Sequence, residues 1–379
     1  YIIYDKLDRS VLTQDKNLKD DNQWLFTKYD QLGRVVYTGI HTNSSQTSRE
    51  AMQSYFDIQN NITSKFYETK LTSTGTLGVY YSNSNFPNLN LEVLTVSYYD
   101  NYTFNLAGSG LPNAINSSSL AYETVTNNVK GLATGSKIKV LEENKWITNV
   151  NYYNEKAQPI YAYSYNDFLK TTDIVSSKLD FIGKVLKSKN LHTNTNDTNL
   201  GTQTVTDFFE YDRVGRLKKQ EQKLGTNAIN EGVGGKTNQN RLQNVDYKYN
   251  VRGWLKNIND TDNLGADLFG FEINYNNPTD PTKALYNGNI SQTLWKNTNP
   301  NNPSGNAISN KYTYTYDALN RIIGGLDNTG HYNLGGYDTG GNLVNPITYD
   351  KNGNIQTLQR QGHTALNGNG EVTSFGTMD

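Results

Sequence analysis

Five aspartates recur in one local setting. Asp5, Asp30, Asp212, Asp317 and Asp350 each follow a tyrosine, and Asn250 holds the same place once. Sets of carboxylates suggest acid–base work, which in glycoside hydrolysis needs a pair about 5–10 Å apart. The sequence nominates no such pair. The place these residues hold fits a different task, because a short side chain that bonds the backbone N–H groups just ahead of it opens a turn. Other candidates are fragmentary. Gly232-Val233-Gly234-Gly235-Lys236-Thr237 has part of a phosphate loop, but Asn230 stands where the first glycine is required, and the flanks do not read as strand and helix. It is expected to be a flexible hairpin loop. Asp260-Thr261-Asp262-Asn263-Leu264-Gly265 begins like a calcium loop, yet Leu264 and Phe271 occupy liganding positions. A polar turn is expected there. His41, His192, His331 and His363 lack the paired spacing of a zinc site. There is no cysteine and no Gly-x-Ser-x-Gly elbow. Trp24, Trp146, Trp254 and Trp295 offer faces for stacking on sugars, though Trp24 and Trp254 lie in or beside the recurring phrase, where packing is the expected role. No catalytic residue, cofactor or metal is expected, and the chain reads as a non-enzyme.

The elements that hold these residues follow from the phrase itself. Its clearest copies are Tyr29-Asp30-Gln31-Leu32-Gly33-Arg34-Val35, Tyr211-Asp212-Arg213-Val214-Gly215-Arg216-Leu217 and Tyr349-Asp350-Lys351-Asn352-Gly353-Asn354-Ile355. Looser copies start at Tyr4-Asp5, at Tyr249-Asn250 with Gly253, and at Tyr316-Asp317 with Arg321, while Asp180 and Gly183 keep the rhythm without the aromatic. Before the turn, aromatics alternate with polar residues, as in Tyr312, Tyr314 and Tyr316 or Tyr161, Tyr163 and Tyr165. A period of two places them on one face of a strand. The glycine supplies the positive φ of a short bulged hairpin loop, and Asp8 and Asn320, which replace it, tolerate that region. Each phrase therefore predicts a β-hairpin, and its recurrence predicts a repeat architecture.

These phrases resemble the YD repeat of RHS-repeat proteins, a family that includes bacterial polymorphic toxins, shell subunits of insecticidal toxin complexes and animal teneurins. The resemblance runs from Tyr4 to about Ile355. Trp24–Asp30 and Val245–Leu255 look like the versions in Bacteroidetes (flavobacterial) members. The resemblance implies an all-β fold in which hairpins wind into one continuous spiral sheet, closing as a hollow cocoon around a C-terminal effector. It also implies export, with type IX secretion machinery as a partner. Two features depart from the family pattern. Spacing is irregular, at 25 residues from Tyr4 to Tyr29, 38 from Tyr211 to Tyr249 and 12 from Tyr337 to Tyr349. No self-cleavage segment follows Asp280-Pro281, which continues as Thr282-Lys283-Ala284.

Composition agrees with a half-wet sheet. Hydrophobic residues make up 35 % of 379, mean hydropathy is −0.72, and Tyr outnumbers Phe by 28 to 12. A tyrosine packs its ring and keeps its hydroxyl hydrated. A net charge of −1 leaves no basic surplus for nucleic acid, and no apolar run approaches the roughly 20 residues that span a bilayer. One array over 1–379 is expected, with inserts near 41–90, 105–135, 224–240 and 296–310. In the first insert Thr47-Ser48-Arg49-Glu50 predicts a capping box before a short helix bearing Met52, Tyr55 and Phe56. Residues 105–135 are expected to be a loop or surface excursion. Tyr1 lies inside a repeat, so an internal fragment of a longer secreted or surface protein is expected. The alternative function is a cell-surface adhesin or glycan-binding module that uses the inserts as contact loops.

Overall fold

The computed structural model describes residues 1–63, 65–117, 122–197, 201–225, 241–298, 308–368 and 372–378. Eighteen strands form one antiparallel sheet. They are β1 Ile2–Tyr4, β2 Ser10–Thr13, β3 Gln23–Tyr29, β4 Val35–Thr42, β5 Leu91–Tyr99, β6 Ala133–Lys139, β7 Trp146–Tyr153, β8 Pro159–Asn166 and β9 Thr171–Leu179. Then follow β10 Val185–Asn194, β11 Thr202–Tyr211, β12 Leu217–Gly225, β13 Arg241–Tyr249, β14 Leu255–Ile258, β15 Phe269–Asn274, β16 Gln292–Asn297, β17 Ile308–Tyr316 and β18 Ile322–Asp327. Registers pair successive strands from β1 to β11 and from β13 to β18. Three short hairpins follow the sheet. Among the described residues the α-helices are α1 Lys16–Asp20, α2 Arg49–Thr63 and α3 Pro112–Asn116, and Pro281–Lys283 forms a 3-10 turn. No helix among the described residues is long and apolar enough to cross a membrane.

The chain divides into two compact units, Tyr1–Phe208 with Gln222–Asn240, and Phe209–Glu221 with Arg241–Asp379. In the first unit one sheet face is apolar, through Trp24 and Phe26 on β3, Tyr37 on β4, Tyr98 on β5 and Val150 and Tyr152 on β7, all nearly or fully buried. The two inserts cover that face. Met52 and Phe56 of α2 are buried, as are Val79, Tyr81 and Phe86 from the loop after it. The helix is capped by Ser48, whose Oγ accepts the Ala51 N–H at 3.2 Å, one residue later than the expected Thr47 box.

The stretch 105–135 is not the surface excursion its polar composition suggested. Ile115 of α3, Val125 and Val129 are buried in the core beside Tyr102 and Phe104. Phe104 packs against Gly135 of β6, where an added Cβ would come within 2.4 Å of the ring. A glycine there lets an aromatic from the insert pack directly on strand backbone. On β5 the burial does not follow an even alternation. Val93 is buried, but so are Val96 and Tyr98, because the register slips between Thr38 and Gly39 and the bulge returns the strand in the opposite phase.

The second unit is built differently. Among the described residues Ile347 is its one fully buried apolar side chain, while Asn259, Asn274, Ser291, Gln292, Thr293 and Asp327 are buried polar groups. They are held by hydrogen bonds, such as Ser291 Oγ donating to the Asn274 carbonyl at 2.9 Å and Gln292 Nε2 to Thr279 Oγ1 at 2.6 Å.

Candidate functional site

The recurring aspartates build one arrangement of atoms. At Asp30 the Leu32 and Arg34 N–H groups both donate to Oδ1 at 2.9 Å, and the Arg34 Nε donates to Oδ2 at 2.7 Å. The Asp30 N–H meets the Arg34 carbonyl and the Gly33 N–H the Asp30 carbonyl. Gly33 sits at φ +78°, which closes the turn behind a bulge at Lys28/Tyr29. One carboxylate thus holds both backbone and side chain of the residue four ahead. Asp5 with Arg9, Asp212 with Arg216 and Asp317 with Arg321 repeat every one of these side-chain bonds. Asp8 and Asn320 take φ +57° and +61° in the glycine's place. Asp180, Asn250 and Asp350 accept the same two backbone N–H groups, with Gly183, Gly253 and Gly353 at positive φ.

The four turns with an arginine are also fastened to the hairpin after them. Guanidinium carbons of Arg9, Arg34, Arg216 and Arg321 lie 4.4, 4.3, 4.8 and 4.6 Å from the ring centres of Tyr29, Tyr99, Tyr249 and Tyr349. The hydroxyl of each of those tyrosines donates to the carbonyl of the residue just after the arginine: Ser10, Val35, Leu217 and Ile322. Tyr275 and Tyr316 donate likewise to the carbonyls of Leu255 and Ile290, which follow Trp254 and Asn289 instead of an arginine. A cation–π contact contributes about 0.5–1 kcal/mol at such partly exposed sites, and a hydroxyl–carbonyl bond about 1 kcal/mol net. Tyr4 opens the first copy and is exposed, and Tyr211 stands at the end of β11.

Further copies extend the series. Asn154, which the sequence did not reveal, accepts the Lys156 and Gln158 N–H groups, with Ala157 at φ +59° in the glycine position. Asp338, after the Tyr337 already counted in the spacing, accepts from Gly340 and Asn342. The most hidden copy is split. Asp100 donates its N–H to the Leu132 carbonyl and accepts the Gly131 N–H on Oδ1 at 2.6 Å, with Gly131 at φ +86°. Tyr153 then donates to the carbonyl of Ala133, the residue that would follow the arginine. Residues 101–130 are therefore spliced into the turn between its aspartate and its glycine. Such signals are visible only when the partner positions are known, because the spacing of four has become 32.

Charge within these turns is fully engaged. Backbone and side-chain donors from Arg216 and Arg321 hold Asp212 and Asp317 below the usual carboxylate range, and Asn354 does so for Asp350. Arg34 bonds Asp100 through both terminal nitrogens and depresses its pKa as well. An ionised carboxylate gripped by a guanidinium is the reverse of a general acid poised near neutrality. A cleft of about 290 Å³ adjoins the Asp30 turn, lined by Arg34, Glu68, Lys70, Tyr81 and Asp100 among others. Burial pulls the Lys70 amine down to about 8, and it donates to the Tyr99 carbonyl at 2.5 Å.

The remaining candidates are dispersed. His41 is buried edge-on to Phe86, His192 pairs with Asp173 at 2.6 Å, His331 stacks on Phe375, and His363 is exposed on Arg360–Leu366. Among the described residues no group of three or more His, Asp or Glu could hold a metal. In the Asp260–Gly265 stretch Asp260 accepts the Asp262 N–H, the bond of a polar turn. Gly232–Thr237 and the centre of the 296–310 insert lie outside the described residues. Trp24 is fully buried, Trp146 meets Lys137 at 4.9 Å, Trp254 packs on Tyr275, and Trp295 stacks on Tyr312.

No family model matches the sequence, and no curated protein matches it. Among solved structures the chain is similar to one from a mutant Tc holotoxin pore of Photorhabdus luminescens, with 10% identity and a TM-score of 0.30. That match covers 96% of this chain and 19% of the other.

Proposed function

We propose that this chain is a non-enzymatic shell segment of an RHS-like YD-repeat protein. In this reading residues 1–379 are one array within a longer exported polypeptide, and the assembled repeats enclose a C-terminal toxin or effector. The observation that supports it is the clasp itself: the same carboxylate, arginine and tyrosine atoms recur at the turns opened by Asp5, Asp30, Asp212 and Asp317, each fastening its turn to the next hairpin. An array of this kind propagates a sheet with neighbour-to-neighbour interfaces. Its main partner is then the remainder of its own polypeptide. An electron-microscopy reconstruction of the full-length protein tests the proposal. A closed hollow shell with density inside is expected, and an extended β structure without a lumen would overturn it.

A second reading, an adhesin or glycan-binding module, has one observation in its favour. Trp295, Tyr312 and Tyr314 stack at 5.5 and 6.0 Å with interplanar angles of 26° and 23°, a half-exposed run of near-parallel rings. Such faces suit sugar rings. Glycan-array binding that is lost on Trp295→Ala would move this reading to first place.

A further inference from the structure

Lys28 stands apart from the clasp. It is the residue before Tyr29 on β3, yet its side chain points into the apolar core of the first unit, 4 % exposed. Its Nζ lies 3.0 Å from Glu68 Oε1 and 2.5 Å from the backbone carbonyl oxygen of Asn85. Glu68 is 1 % exposed and bridges the two, because Oε1 also accepts the Asn85 N–H at 3.1 Å. Oε2 is fixed by Ser82 Oγ and the Ser84 N–H. Asn85 is buried, with Nδ2 donating to the Tyr67 carbonyl at 2.6 Å and Oδ1 shut away from water without a hydrogen-bond partner. Tyr29, Phe56, Phe66 and Phe86 wall the site, and it keeps a cavity of about 20 Å³.

We propose that these three residues form a self-modifying site that joins Lys28 to Asn85 by an intramolecular amide bond. The chemistry balances without an oxidant or cofactor. The Lys28 Nζ lone pair adds to Asn85 Cγ, forming a C–N bond. Glu68 accepts a proton from Nζ and returns one to Nδ2. The Cγ–Nδ2 bond breaks, and Nδ2 leaves as ammonia. An amine and a primary carboxamide become a secondary amide and NH₃, with Glu68 regenerated.

Each part of the arrangement serves that step. Burial is the largest influence on the Lys28 amine and lowers its pKa, which favours the neutral nucleophile. The Glu68 carboxylate bonds both Nζ and the Asn85 backbone N–H, which holds it beside the two residues to move the proton. Burial of Asn85 Oδ1 keeps bulk water, which would compete for the carboxamide, away from it. The cavity admits a molecule the size of water, and so of ammonia. Holding Lys28 and Asn85 side by side in one core, with Nζ on the Asn85 backbone carbonyl, replaces the encounter that makes this reaction slow between free side chains. The product would staple β3 to the far end of the first insert across the 57 positions that separate the two residues.

Intact-mass spectrometry of the full chain, followed by tryptic peptide mapping, tests this. The expected result is a loss of about 17 Da and a branched peptide joining the segment that carries Lys28 to the one that carries Asn85. Glu68→Gln and Asn85→Ala should each retain the unreacted mass. The wild-type chain decides the matter even if the variants fail to fold. An unreacted wild-type mass would overturn the proposal, and so would the same loss with the two peptides unlinked, as a succinimide would give.

Discussion

The Arg34 guanidinium lies 4.3 Å from the centre of the Tyr99 ring, and the Tyr99 hydroxyl reaches back to the Val35 carbonyl at 3.1 Å. One tyrosine therefore reads two neighbouring positions of the preceding turn. This is why a tyrosine, and not any aromatic, opens so many copies: phenylalanine can satisfy the guanidinium but leaves the carbonyl to water.

Removing that hydroxyl should have a uniform cost. Tyr29→Phe, Tyr249→Phe and Tyr349→Phe are each expected to destabilise by about 1 kcal/mol, the net value of one such bond. Chemical denaturation of the three variants checks this. Tyr286, 77 % exposed, serves as a control whose Phe variant should change stability little.

The split turn makes a sharper demand. Gly33 and Gly131 have φ of +78° and +86°, and an added Cβ meets no atom closer than 3.9 Å at either. The strain is therefore in the backbone alone. Gly131→Ala should cost about as much as Gly33→Ala, roughly 1–2 kcal/mol, although no glycine motif surrounds it in the sequence. Asparagine at either position should recover part of the loss. If alanine at 131 were neutral while alanine at 33 was not, the two turns would not be equivalent.

How much of this was legible in the sequence depended on whether one turn kept its atoms together. Asp30, Gly33 and Arg34 lie within five residues, so phrase and hydrogen bonds coincide. Asp100 and Gly131 are separated by an insert, and Asn154 has Ala157 where glycine is expected, so neither matched. The insert's role in the core was hidden for a different reason. Ile115, Val125 and Val129 are scattered among Asn, Ser and Gly without a period, and only the sheet beneath them makes them a face. The Lys28–Glu68 pair joins residues 40 positions apart, which no local pattern reports.

Acid should loosen the array before neutral pH does. Asp100, Asp212, Asp317, Asp338 and Asp350 have folded-state pKa values below their ordinary ones. The unfolded chain then binds more protons in that range, so stability rises with pH there. Their contribution is complete above the unfolded value of about 3.9 and is lost as pH falls through the folded values. Lys70, drawn down to about 8, adds a second rise in stability from about pH 8 to the ordinary lysine value near 10.4. Thermal unfolding followed from pH 2 to 10 should show both slopes, and the alkaline one should shrink in Lys70→Met, with the remainder carried by Lys28 and Lys137, which burial also draws down.

The most direct test of the clasp is a double-mutant cycle on Arg216 and Tyr249, which lie 4.8 Å apart from guanidinium carbon to ring centre. Arg216→Met and Tyr249→Leu, singly and together, are compared by chemical denaturation. A coupling of about 0.5–1 kcal/mol is expected for a pair that fastens one hairpin to the next. Additive losses, agreeing within about 0.3 kcal/mol, would mean that the two residues stabilise their own hairpins separately, and would contradict the account of a linked array.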